Sequence, residues 1–234
     1  MWSAVQGVGA GSESEALQAL EQLAVAYWPP LYVFARHRGA DHHGAADQVQ
    51  GFFEHLLSGE VLQRVERRES RFRSFLLAAF QNWLANRHER AAAQKRGGGA
   101  VQVALAEFDS AQSDLAMVTD ESPERCFDRR WARAVFDHAI ARLDAENARK
   151  DRPEFFAELR RRLTGPQAAS PDWEEVARRF GMKANAVKQA AHALRQRLGT
   201  LVKQEVRAVV STEADLDDEF RYLIQLLSAP ADSA

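Results

Sequence analysis

Lys188, Gln189, His192 and Arg195 lie together on one side of a helical repeat. The other side carries Val187, Ala191, Leu194, Leu198 and Leu201 at the spacing of an apolar stripe. Amides, imidazoles and long cations are the groups that hydrogen-bond base edges and grip phosphates. Upstream, Val176, Ala177 and Phe180 form a shorter apolar face. Gly181 follows, able to take the left-handed backbone that ends a helix. Ser170, with Pro171 behind it and Asp172, Glu174 and Glu175 in the first turn, reads as a helix start. Ala177, Gly181 and Val187 supply the small residue, turn glycine and branched apolar contact that two closely crossing helices need. Trp173 to Val202 therefore reads as a helix-turn-helix, which lays its second helix in the major groove of DNA. A plain helical hairpin would also want the glycine, so the segment by itself leaves both readings open.

Few other residues are arranged for chemistry. Asp41-His42-His43 has the types of a metallo-phosphoesterase ligand set. Such a site needs further Asp and His on the strands of an α/β sheet, and none is patterned that way, so His37, His42 and His43 are expected in a polar loop. Gly97 to Gly99 follow a helix rather than open one after a strand, so they do not form a phosphate cradle. No Cys/His cluster has zinc spacing. Cys126 stands alone, which excludes an internal disulfide, fits a reducing cytoplasm and reads as a packing residue. No catalytic constellation is found, and neither enzymatic activity, cofactor nor metal is expected.

The elements that position these residues are helical. Apolar residues make up 46% of the 234, enough for real cores. No apolar run approaches the roughly 20 residues that span a bilayer, and the N-terminus lacks a secretory pattern. The first helix is expected over 15–37, with Pro29 and Pro30 breaking or kinking it. A second runs from Gly44 to Leu57 and a third from Phe72 to Gln94. Gly97 to Ser122 has no periodicity and reads as a flexible linker, because about 25 residues exceed an ordinary loop. Pro123 and Pro153 open further helices. Ser211 caps a last one over 213–227, with Leu216, Phe220, Leu223, Ile224 and Leu227 to be covered. Its acidic front and apolar back would either cover the basic recognition surface or complete the C-terminal core. The fold class is all-α: two helical domains joined by a flexible linker, with the helix-turn-helix in the second. The boundaries are 1–96, a linker over 97–122, 123–210, and an extension over 211–234.

The formal charge is −2, unlike a simple DNA-coating protein. Its distribution matters more. Basic residues concentrate from Arg64 to Arg96 and again from Arg178 to Arg207, with acids gathered between and after them. Two basic blocks on candidate helices suggest two DNA-facing surfaces.

Several stretches, in order, resemble a bacterial RNA polymerase sigma factor of the extracytoplasmic-function type. They are Ala26-Tyr27-Trp28 with Pro30-Leu31-Tyr32; Asp47-Gln48-Val49-Gln50-Gly51-Phe52-Phe53; Arg71 to Leu77 with Asn82-Trp83-Leu84; and Arg90 to Gly99. Phe127 to Ala132, Ala186-Val187-Lys188 and His192 to Leu198 continue the similarity through most of the chain.

The resemblance implies roles. Asp47, Gln50 and Glu54 form one polar stripe by spacing, and in the family that helix docks on the β′ subunit of core RNA polymerase. Arg71, Arg73, Asn82, Asn86 and Arg90 are then candidate contacts to the −10 element, while Phe75 and Trp83 read first as core. Lys183, Asn185, Lys188, Gln189, His192 and Arg195 are candidate contacts to the −35 element. Asn185 and Gln189 would be the base readers, since amides bond adenine in two places. The implied partners are core polymerase (β′ and β), promoter DNA and, as a further candidate, an anti-sigma protein. No membrane partner is expected, and the implied location is the cytoplasm. The chain departs from the family at Ala190, Ala193 and Gln196, where relatives carry basic residues, and at Gly44 and Ala46, where they carry acids. Rival readings are a stand-alone helix-turn-helix regulator and a degenerate sigma-like interaction protein.

Overall fold

The computed structural model describes residues 13–57, 72–93, 121–148, 151–164, 172–207, 210 and 212–228, with the side chains of 13–23, 25, 57 and 88–93 excepted. Among the described residues there are helices and no strands, so the protein is all-α. The helices are α1 (Glu13–His37), α2 (His42–Leu57), α3 (Phe72–Ala93), α4 (Pro123–Ala148), α5 (Pro153–Thr164), α6 (Trp173–Phe180), α7 (Ala184–Arg207) and α8 (Glu213–Ser228). None of them is long and apolar enough to cross a membrane.

Two compact units divide these helices. The first takes α1, α2, α3, the front of α4 up to Ala134, and α8; the second takes Val135–Val206. This differs from the boundaries expected above. The front of α4 was placed with the second domain, and α8 was expected either over the recognition surface or in the C-terminal core. Both instead belong with the N-terminal helices.

The core of the first unit is aromatic. Tyr27, Tyr32 and Phe34 of α1, Phe52 and Phe53 of α2, and Phe72 and Phe80 of α3 are fully buried. Phe80 packs on Phe34 and Phe52 at centroid distances of 6.0 and 5.0 Å. Each such ring stabilises the unit by about 1.5–3 kcal/mol through burial alone. Pro29 and Pro30 are buried inside an unbroken α1. Two backbone donors are lost there, but the segment they sit in also holds Tyr27, Leu31, Tyr32 and Phe34, whose burial outweighs the loss. Gly39, at φ +94°, closes α1, with the amides of Gly39 and Ala40 bonded back to the carbonyls of Arg36 and Ala35. The carboxylate of Asp41 then accepts from the amide of Gly44 at 2.7 Å and starts α2. His42 and His43 thus lie in the first turn of α2 and His37 ends α1; the expected polar loop is only the short turn between them.

A buried polar cluster ties α3, α4 and α8 together. Arg73 is 7% exposed, Glu219 1% and Asp128 17%. The Nε of Arg73 donates to Glu219 at 2.8 Å, and Nη1 donates to Asp128. Tyr222 donates its hydroxyl proton to the other Asp128 oxygen at 2.6 Å. The guanidinium also lies 5.0 Å from the Trp131 ring and 4.9 Å from that of Tyr222. Burial alone pulls the Arg73 pKa down, but the bond to Glu219 and the charge of Asp128 more than offset it, so the cation is held. Burial and the Asp128 bond push the Tyr222 hydroxyl up to about 12, and burial raises that of Tyr27 further. On α8, Leu216, Leu223 and Leu226 are buried beside Glu219, whereas Ile224 is 43% exposed and not covered as expected.

In the second unit, Phe155 and Leu159 of α5, Val176 and Ala177 of α6, and Val187, Ala191 and Leu194 of α7 are buried. Arg162, steadied by Glu158 on the same helix, holds α5 to α6. Arg161 and Arg162 bond to Glu158, and Arg162 also reaches Glu175 at 2.7 Å and the Asp172 carbonyl. Hydrogen bonds from Arg161 first, then Arg162, hold the Glu158 carboxyl down at about 2. The rear of α4 is clasped to α7 by Glu146–Arg197 and by His138 and Arg142 on Glu205.

Candidate functional site

The α6–α7 pair is built by its caps. Asp172, not Ser170, caps α6, its carboxylate accepting from the amides of Glu174 and Glu175 at 3.1 and 3.0 Å. An aspartate is the stronger acceptor, and those bonds hold its pKa below the ordinary value. Ser170 and Pro171 lie outside the described residues. Gly181 ends α6 at φ 63° and ψ 34°. The Met182 amide bonds the Ala177 carbonyl at 2.9 Å and the Gly181 amide that of Arg178 at 3.4 Å. Lys183 completes the turn, its carbonyl accepting from the amides of Ala186 and Val187.

The six side chains expected to read the −35 element are all exposed: Lys183, Asn185, Lys188, Gln189, His192 and Arg195. Val187, Ala191 and Leu194 are buried on the opposite side of the helix. The ring of His192 is hydrogen-bonded to the Gln196 amide at 3.0 Å. Not every cation of this basic block shares the face. Arg197 pairs with Glu146, Arg207 pairs with Glu213, and Arg179 lies against Phe180 and near Glu158. What stands on the solvent side of the first turns is a mixed set of amides and cations, suited to duplex edges and phosphates.

No protein-family model, no curated protein and no solved structure matches the chain.

On α2, Asp47 is exposed, and Gln50 and Glu54 are half-buried; the Gln50 amide donates to Glu54 at 3.2 Å. The stripe expected from spacing does lie on one accessible side. On α3, Asn82 and Asn86 are exposed one turn apart. Arg73 is not with them. It was expected at the −10 element, but two carboxylates and two aromatic faces hold it inside the first unit, where DNA cannot reach it. Arg71 and the side chain of Arg90 lie outside the described residues. Phe75 and Trp83 are half-buried; Trp83 stacks on Phe80 at 6.2 Å and 12°.

Arg87 was missed. Its guanidinium lies 5.2 Å from the Trp83 ring and donates to the Asp47 carbonyl oxygen at 3.5 Å. The available signal was a glycine, Gly51, in the middle of a polar stripe, facing a Trp-x-x-x-Arg step on another helix. Among the described residues, no group of three His, Cys, Asp or Glu side chains is placed to hold a metal. His42 instead shares a 2.7 Å hydrogen bond with Tyr32.

Proposed function

We propose that this chain is a sigma factor of the extracytoplasmic-function type. It binds core RNA polymerase through α2, meets the −35 element of a promoter with α7 as the second helix of a helix-turn-helix, and meets the −10 element with α3. The polymerase supplies the chemistry; this chain supplies location and helps separate the strands. It acts in the cytoplasm, and an anti-sigma protein is a candidate regulator.

The observation that carries the reading is the solvent face of α7. Asn185, Lys188, Gln189, His192 and Arg195 stand on it, opposite a buried apolar stripe, with Lys183 exposed in the turn that follows the left-handed glycine. The ordered resemblance of the N-terminal segments to the family supports the polymerase-binding half. The Asp47, Gln50 and Glu54 stripe supports it too, because a carboxylate-and-amide surface suits a basic partner.

Core polymerase bound to this chain is expected to protect two promoter elements from cleavage in a footprint. Replacing Asp47, Gln50 and Glu54 together with alanine is expected to abolish polymerase binding. Protection of DNA by the chain alone, with no polymerase bound, would support the stand-alone regulator instead.

Two observations favour a second reading, a sigma-like chain that occupies polymerase without opening DNA. Arg73 is withdrawn into the fold, and Ala190 and Ala193 leave α7 with fewer cations than relatives carry. In that case polymerase binds, but only the upstream element or neither is protected.

A further inference from the structure

Gly51 sits at the centre of the α2 stripe, one turn after Asp47 and nearly one turn before Glu54. A Cβ added to it would lie 3.1 Å from Nη1 of Arg87 and 3.2 Å from Cη2 and Cζ2 of Trp83. The gap that this glycine leaves is therefore filled from α3. The indole edge rests on the α2 backbone and the guanidinium lies over the ring. Phe80 stacks on Trp83 and Phe52 tilts against it at 6.0 Å, so the indole is fixed from within.

We propose that Trp83 and Arg87 of α3 belong to the same protein-docking surface as Asp47, Gln50 and Glu54 of α2, and that Arg87 receives an acidic side chain of the docked partner. The partner is a protein surface of mixed charge: cations to meet Asp47 and Glu54, and a carboxylate to meet the arginine between them. This rests on the polymerase-binding reading above and adds to it a second helix and an opposite charge.

Three features point to protein rather than nucleic acid. The guanidinium leans onto α2 and donates to the Asp47 main-chain oxygen, so it shares a patch with the stripe read as protein-docking. Among the described residues, no carboxylate pairs with Arg87 or cation with Asp47, so both charges are open to a partner. An arginine already laid on an indole has lost part of its freedom and water before binding, which favours it as an interface hot spot.

The test measures binding of the full chain to core RNA polymerase without DNA, beside binding to a single-stranded oligonucleotide. Arg87→Glu is expected to weaken polymerase binding about tenfold or more and to leave oligonucleotide binding and the melting temperature unchanged. Gly51→Ala is expected to weaken it less, by shifting Trp83 and Arg87. Alanine is the better helix former, so that loss cannot come from a weaker α2. Asn82→Ala with Asn86→Ala is expected to leave polymerase binding alone. If Arg87→Glu binds polymerase like the unaltered chain while the Asp47/Gln50/Glu54 variant does not, the inference fails and the wider reading stands. If neither variant changes binding, both fail. If Arg87→Glu loses the oligonucleotide instead, the arginine serves nucleic acid and the inference is overturned.

Discussion

The two basic helices, α3 and α7, use their cations in opposite ways. On α7, Lys183 in the preceding turn, then Lys188 and Arg195, stay exposed across from one apolar stripe. On α3, Arg73 is enclosed by Asp128, Glu219, Trp131 and Tyr222, and Arg87 is laid on Trp83 toward α2. Both helices sit in basic blocks of the sequence. The difference is the number of sides each helix packs. α3 buries Phe72, Leu76, Phe80 and Leu84 and also presents Arg73 to α4 and α8, so a charge on it can fall between helices. The count of basic residues in a block therefore says little about how many face a ligand.

The sharpest way to break this comparison is Arg73→Ala. It leaves Asp128 and the deeply buried Glu219 without their cation, and breaking such a pair costs about 3–5 kcal/mol. Urea denaturation of the full chain measures it. A loss no larger than an ordinary surface change would mean that Arg73 is not structural.

A smaller loss is expected from Gly181→Ala. The left-handed backbone at this turn penalises any Cβ by about 1–2 kcal/mol. Denaturation should show that loss together with weaker duplex binding, because the turn aims α7.

Acid should act on the second unit through Glu158. Its folded pKa of about 2 lies below the ordinary 4.5. Its contribution is therefore complete above about pH 4.5 and is lost as pH falls towards 2. Glu158→Gln should remove that part of the acid sensitivity. A pair of denaturation series, one per chain, over this window checks it; parallel curves would contradict the assignment.

The smallest stability effect belongs to Lys188→Ala with Gln189→Ala and Arg195→Ala, expected within about 0.5 kcal/mol because all three side chains are exposed. Duplex binding should nevertheless weaken, and its dependence on salt should flatten by about two units, one per lost cation. A large loss of stability would place these residues in the core and erase the contrast with α3.

Much of the fold was legible. Gly39 and Gly181 mark helix ends because glycine tolerates the left-handed backbone that stops a helix, and Pro123 and Pro153 mark helix starts because their fixed φ suits a first turn; the buried stripes of α2 and α7 follow helical spacing. Asp172 rather than Ser170 as cap is a choice between neighbouring acceptors that local pattern does not rank. The fate of Arg73 was not legible, since Asp128 and Glu219 lie 55 and 146 residues away in the chain. The home of α8 was hidden for a similar reason: an apolar stripe declares that it needs cover, not which helices provide it. The face of α7 could be read because it depends only on its own helix, whereas Arg87 required knowing that α2 and α3 touch at Gly51.

The most direct test of the proposed function is transcription itself. Core RNA polymerase should be supplied with the purified chain and a pool of genomic promoter fragments, and the 5′ ends of the transcripts mapped. The account predicts discrete start sites that share paired upstream elements and vanish with the Asp47, Gln50 and Glu54 alanine variant. Start sites no different from those of core polymerase alone would contradict it.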